Sequence, residues 1–112
     1  MSYFNKTKGK GNKNKDKGVR FERRVWKHLE EQGYYIKRSY ASQGPADLFA
    51  MKKKGKLTEL LLIQCKNLKI GYAPLSQEEI DGLIEIAKIT GGYPFHVYND
   101  LKHKIQFKEI KF

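Results

Sequence analysis

The sequence predicts an α/β fold, a central β-sheet of about five strands flanked by two main helices. Three observations lead there. The apolar run Leu60-Leu61-Leu62-Ile63, closed by Gln64-Cys65-Lys66, reads as a buried strand. Two stretches carry helical periodicity and end at glycine stops, Gln32-Gly33 and Gly91-Gly92. Strand-like segments fall between and after them, so the order is helix, three strands, helix, two strands. With 112 residues the chain can build one core and one small domain.

Residues 1–17 stand apart in composition, with six Lys, one Asp and almost no apolar groups for a charge of +5. Such a segment cannot offset its ordering entropy, so a disordered basic N-terminal arm is expected, with the folded domain over 18–112. From Gly18 the pattern turns helical: Phe21, Val25 and Leu29 recur every fourth position. Glu22 lies about 100° around the helix from Phe21 and so borders the buried stripe. Arg20, Arg23, Arg24 and Lys27 line the rest.

Residues 34–40 are aromatic and β-branched enough for a strand, Ser42-Gln43-Gly44-Pro45 is a loop, and 46–51 is a second strand. Lys52-Lys53-Lys54-Gly55-Lys56 reads as a charged turn into the strand over 57–66. Residues 67–74 form a loop containing Ile70 and Tyr72. Ser76-Gln77-Glu78-Glu79 is a capping box that opens a helix running to Thr90, with Ile80, Leu83, Ile84 and Ala87 as its buried face. Residues 93–98 and 105–110 are two closing strands around an Asn99-Asp100 turn. Their apolar groups, Phe95, Val97, Tyr98, Ile105, Phe107 and Phe112, exceed what so small a sheet should leave bare, which points to a homodimer interface.

Charge narrows the function. A formal net charge of +11, from 23 Lys and Arg against 12 Asp and Glu, argues for a polyanionic partner and against a metabolic enzyme. No basic amphipathic helix with a Leu/Trp-rich face and no lipidation signal is evident, so nucleic acid is expected and membrane is not. The single Cys65 fits a reducing compartment and excludes a Cys-rich zinc site. Met1-Ser2-Tyr3-Phe4-Asn5-Lys6 lacks the apolar core of a signal peptide, so a cytoplasmic location is expected, in the cell itself or in a host if the source is viral.

The end of the central strand carries the chemistry. Alternation puts Gln64 and Lys66 on one face, and Asp47 closes a neighbouring strand pair, so the three can converge on one cation and one water. Phosphodiester hydrolysis needs an attacking water, a cation over the developing charge and groups that orient both. Mg²⁺, with Mn²⁺ as a substitute, suits a site of few carboxylates. Asp47 would anchor it, with the Gln64 amide oxygen and the Cys65 backbone carbonyl as further ligands. Glu22 would hold a metal-bound water or a second ion. Lys66 would position the water and stabilise transition-state charge. The Cys65 side chain should point into the core, and His28, His96 and His103 have no ligand spacing.

These residues resemble a family. Phe21-Glu22-Arg23, then Arg38-Ser39, Ser42, Asp47-Leu48, and Ile63-Gln64-Cys65-Lys66 look like the archaeal-type Holliday-junction resolvases of the PD-(D/E)xK nuclease superfamily. Gly91-Gly92-Tyr93-Pro94 is similar to that family's small-residue turn between its last helix and the next strand, and the likeness spans residues 18–100. The resemblance implies a restriction-endonuclease-like mixed sheet and a Mg²⁺-dependent homodimer that nicks four-way DNA junctions in pairs. Glu22, Asp47, Gln64 and Lys66 fall on its metal and catalytic positions. Arg38 and Ser42, the latter counted with the catalytic set, fall on phosphate-handling positions. Further DNA contacts are expected from Arg20, Arg23, Arg24, Lys53, Lys54 and Lys69. The family usually carries an acid where this chain has Gln64; glutamine there is familiar in the Mrr-like restriction branch of the superfamily. The alternatives are therefore a restriction- or repair-type nuclease acting on other DNA, and a non-catalytic DNA-binding module.

Overall fold

The computed structural model describes residues 13–39, 44–67 and 74–112. Helix α1 spans Lys13–Glu31, strands β1 Tyr35–Arg38, β2 Leu48–Lys54 and β3 Leu57–Lys66, helix α2 Gln77–Thr90, and strands β4 Tyr93–Asn99 and β5 Ile105–Glu109. The sheet runs in chain order, β1-β2-β3-β4-β5. Every pairing is antiparallel except β3 with β4, which is parallel. That exception follows from α2, which returns the chain to the starting end of β3 before β4 begins.

β3 divides the core. Leu61 and Ile63 face α1, where they join Phe21, Val25, Leu29, Ile36, Leu48, Ala50 and Val97, with Cys65 packed at the margin. Leu62 faces α2 with Ala46, Leu83 and Ala87, and Leu60 packs against that cluster. A strand covered on both faces loses its polar alternation, which explains the unbroken run Leu60–Ile63. Each fully buried Leu, Ile or Phe contributes up to about 1.5–3 kcal/mol.

α2 begins as its capping box requires: Ser76 accepts from the Glu79 N–H, and the Glu79 carboxylate accepts from the Ser76 N–H at 2.9 Å. It ends at Gly91, whose φ of 77° is the left-handed conformation that glycine adopts without penalty.

Three expectations change. α1 starts at Lys13, so residues 13–17, assigned to the disordered arm, are helical; residues 1–12 lie outside the described residues. Lys is a good helix former, and extending a helix already anchored by Phe21 and Val25 costs little, so no apolar residue is needed to mark its start. The charged turn is shorter than its lysines implied. β2 runs to Lys54, only Gly55 and Lys56 make the turn, and Lys52 Nζ donates to the Gln32 carbonyl at 2.7 Å.

The closing strands are also less bare than expected. Phe95, Val97, Ile105 and Phe107 pack on the α1 side of the domain's own core. Phe95 and Phe107 meet edge to face at 6.3 Å, and His28 stacks on Phe107 at 5.4 Å. Of the residues expected at an interface, Phe112 remains 66% exposed. No described helix is long and apolar enough to cross a membrane.

Candidate active site

The last residues of β1 and β3, the first of β2, and the turn before β2 meet at one end of the sheet. Backbone bonds lock them together: the Ser39 N–H donates to the Asp47 carbonyl at 2.8 Å, and the Asp47 N–H to the Ile63 carbonyl at 2.7 Å. The Cys65 N–H then donates to Asp47 Oδ2 at 2.8 Å. The carboxylate that the sequence placed near the end of β3 is thus fastened to the β3 backbone, one residue from Gln64 and one from Lys66.

α1 contributes Glu22, whose Oε1 accepts from Arg38 Nε at 3.0 Å; both side chains are about four-fifths buried, 15% and 20% exposed. Burial raises the Glu22 carboxyl above its ordinary range. The negative charge of Asp47 adds to that shift and Arg38 opposes it. Asp47 is also raised, by burial first, against the pull of the Cys65 N–H, Lys66 and Arg38; Glu79 adds to the rise. Two carboxylates held at electrostatic cost beside one another are a sink for positive charge.

α2 completes the site from the other face. Lys66 Nζ pairs with Glu79 Oε2 at 2.8 Å. Glu79 reaches it because α2 lies against the turn before Asp47: a Cβ on Gly82 would come within 2.8 Å of Pro45 Cβ. Gln64 is half-buried on the same strand face as Lys66, beside His96 in the β3–β4 register. Cys65 packs its thiol among the α1-side apolar groups, and burial drives that thiol well above its usual range.

The structure therefore brings together Glu22, Arg38, Asp47, the Cys65 backbone and Lys66, with Gln64 on the Lys66 face. Ser42 and Lys69 lie outside the described residues. Arg20 and Arg23 are exposed on α1. Arg24, expected on DNA, is instead a strut: it donates to Asn99 Oδ1 at 3.1 Å and to the His103 carbonyl at 2.7 Å, tying α1 to the β4–β5 turn. Lys53 and Lys54 are exposed at the opposite end of β2 from Asp47, and Lys54 lies 3.8 Å from Glu59.

Glu79 and Gly82 were not anticipated at the site. The capping box named Glu79 for its backbone role, and the only further signal was that Lys66 lacked an acidic neighbour on its own strand. Among the described residues no three His, Cys, Asp or Glu side chains cluster as metal ligands. Two carboxylates lie there, Glu22 and Asp47, with the Gln64 side chain and the Cys65 backbone on the adjoining strand as further oxygen groups. An oxygen-only set of this kind fits a hard cation that keeps several waters, and does not fit zinc.

Residues 13–112 match the family model described as archaeal Holliday junction resolvase (Hjc). The crossover junction endodeoxyribonuclease Hjc of Methanocaldococcus jannaschii is 35% identical over 79 residues, which cover 70% of this chain and 56% of that protein. The chain thus spans little more than half the length of that relative. The structure of Archaeoglobus fulgidus Hjc, a Holliday junction resolvase from an archaeal hyperthermophile, superposes with a TM-score of 0.69 at 26% identity, covering 83% of this chain and 72% of that one.

Proposed function

The chain belongs to the archaeal Holliday junction resolvase family, and on that premise we propose that it is an endonuclease that resolves four-way DNA junctions by metal-dependent phosphodiester hydrolysis. The observation that carries this reading is the meeting of Glu22, Asp47 and Lys66 at one sheet end, in a chain of net charge +11.

Asp47, the Gln64 amide oxygen and the Cys65 carbonyl would hold Mg²⁺, with Glu22 on the α1 side. When bound, the ion would supply a lowered water pKa and a counter-charge to the phosphate oxygens. The protein's own groups do the rest. The Cys65 N–H fixes the rotation of the Asp47 carboxylate. Arg38 holds Glu22 and adds a guanidinium facing the incoming phosphate. Lys66 orients the attacking water and stabilises charge on the pentacoordinate transition state.

Branched DNA is the partner expected from the charge and the small reading surface: a domain with this few loops has little with which to read a base sequence. A homodimer suits paired nicks on a two-fold junction. Its contact would lie where apolar surface stays open, at Ile89 and Tyr93 and at Phe112 beside a groove of about 290 Å³.

The test is cleavage of a labelled synthetic four-way junction against a matched linear duplex, with Mg²⁺ and with chelator. Paired nicks on the junction alone, only with metal, are expected. Lys66→Met should slow cutting severely, to a residual rate measurable in single turnover, while junction binding, dominated by phosphate contacts, persists. Equal cutting of both substrates would move the protein to the general or restriction-type nucleases. Binding without cutting would make it a DNA-binding module.

A further inference from the structure

Lys66 sits where an ammonium is poorly placed unless something holds it there. Its neighbours on that face of β3, Leu62 and Gln64, carry no charge. Asp47 attracts the ammonium through space, but one of its oxygens is held by the Cys65 N–H. The N-terminal turn of α2, which carries partial positive charge, faces this end of the sheet and opposes a cation. Left to these forces, a long flexible lysine would turn to solvent.

One group reverses this. Glu79 divides its carboxylate between two tasks: Oε1 accepts from the Ser76 N–H at 2.9 Å, and Oε2 takes Lys66 Nζ at 2.8 Å. The first bond fixes the carboxylate in the opening turn of α2, where the capping box holds its rotamer. The second hands that rigidity to Lys66. α2 is itself positioned by the contact of Gly82 with Pro45, two residues before Asp47. Gly82 lies three residues after Glu79, so the same helix face touches the Asp47 turn and reaches Lys66. Asp47 and Lys66 are therefore placed relative to each other through α2 as well as through the sheet.

We propose that Glu79 is a positioning residue of this active site, holding the Lys66 ammonium beside Asp47 and supplying the negative charge that Gln64 does not. The proposal rests on the nuclease reading above. Glu79 touches neither DNA nor the reacting phosphate. It acts through Lys66, so its loss should lower the rate of the chemical step and leave junction affinity alone.

The test uses Glu79→Gln, because a glutamine at this capping position still accepts from the Ser76 N–H and keeps the helix start intact. Unfolding in urea should be little changed. Single-turnover cleavage of the four-way junction, with enzyme in excess, should slow by about 10- to 100-fold at unchanged binding constant, the scale of a misplaced catalytic group. Glu79→Asp, too short to span both partners, should not restore the rate. The Lys66→Met/Glu79→Gln double variant should be no slower than Lys66→Met alone, since one residue acts through the other. A Gln variant that cuts at the wild-type rate, or whose effect multiplies with that of Lys66→Met, overturns the proposal. Failure of the wild type to cut any junction is a different result: it removes the nuclease reading and the positioning role with it.

Discussion

Replacing Gly82 by Ala tests whether α2 and the Asp47 turn form one unit. In most exposed helix interiors the change stabilises by about 1 kcal/mol, because alanine loses less backbone entropy. Here the new Cβ would stand 2.8 Å from Pro45 Cβ and 3.1 Å from its Cγ. Carbon atoms pack at about 3.5–4.0 Å, so the helix or the turn must move by about 1 Å. The proline ring cannot swing aside, since its own φ is locked. Overpacking of this kind costs about 1–3 kcal/mol, which leaves a net change from zero to a loss of about 2 kcal/mol. The larger effect should be on cleavage. Asp47 follows Pro45 by two residues, and a shift of about 1 Å at a reacting group costs up to about 100-fold in rate. Urea unfolding and single-turnover cleavage read the two quantities separately. A variant more stable than wild type by about 1 kcal/mol and equally active would refute the reasoning, because it would mean that α2 does not bear on the Asp47 turn.

Three more outcomes follow from the same geometry. Asp47→Asn should abolish cleavage yet raise stability near neutral pH by about 0.5–2 kcal/mol, as relief of a functional carboxylate often does. The sign comes from its raised pKa: the folded state binds the proton more tightly, so wild-type stability falls as pH rises from the ordinary value of 3.8 through the raised one. The advantage of the Asn variant in thermal or urea unfolding should therefore vanish at acid pH. Gln64→Glu should keep activity and lower the Mg²⁺ concentration needed for half-maximal cutting; loss of activity would show that Gln64 is not a metal ligand. Deleting residues 1–12, which remove Lys6, Lys8 and Lys10, should reduce the salt slope of junction binding by up to about 0.9 per lysine, measured by titration at several salt concentrations.

Much of this architecture was legible because its causes are local. The boundaries of β3 follow from an apolar run between a Gly-Lys turn and a polar close. α2 announces itself through a capping box and a double-glycine stop, both readable within a few residues. Asp47, Gln64 and Lys66 could be named because strand alternation is a rule of the backbone. Glu22 could be placed at the edge of a buried stripe by helical angle alone.

What the sequence could not decide depends on which elements face one another. Nothing in Ser76-Gln77-Glu78-Glu79 says that the capping carboxylate also holds Lys66, and nothing in Gly82 says that Pro45 fills the space a methyl would need. Arg24 reads as one more cation on a basic helix until the β4–β5 turn is brought beneath it. Phe95 and Phe107 read as surplus apolar surface until α1 covers them. Periodicity, caps and alternation are properties of neighbours along the chain, so the sequence by itself determined the elements, their order and the end of the central strand that carries the candidate site. The counterion of Lys66, the seating of α2 and the cover of the closing strands are contacts between residues far apart in sequence. Only packing of the two helices on opposite faces of one sheet decided them.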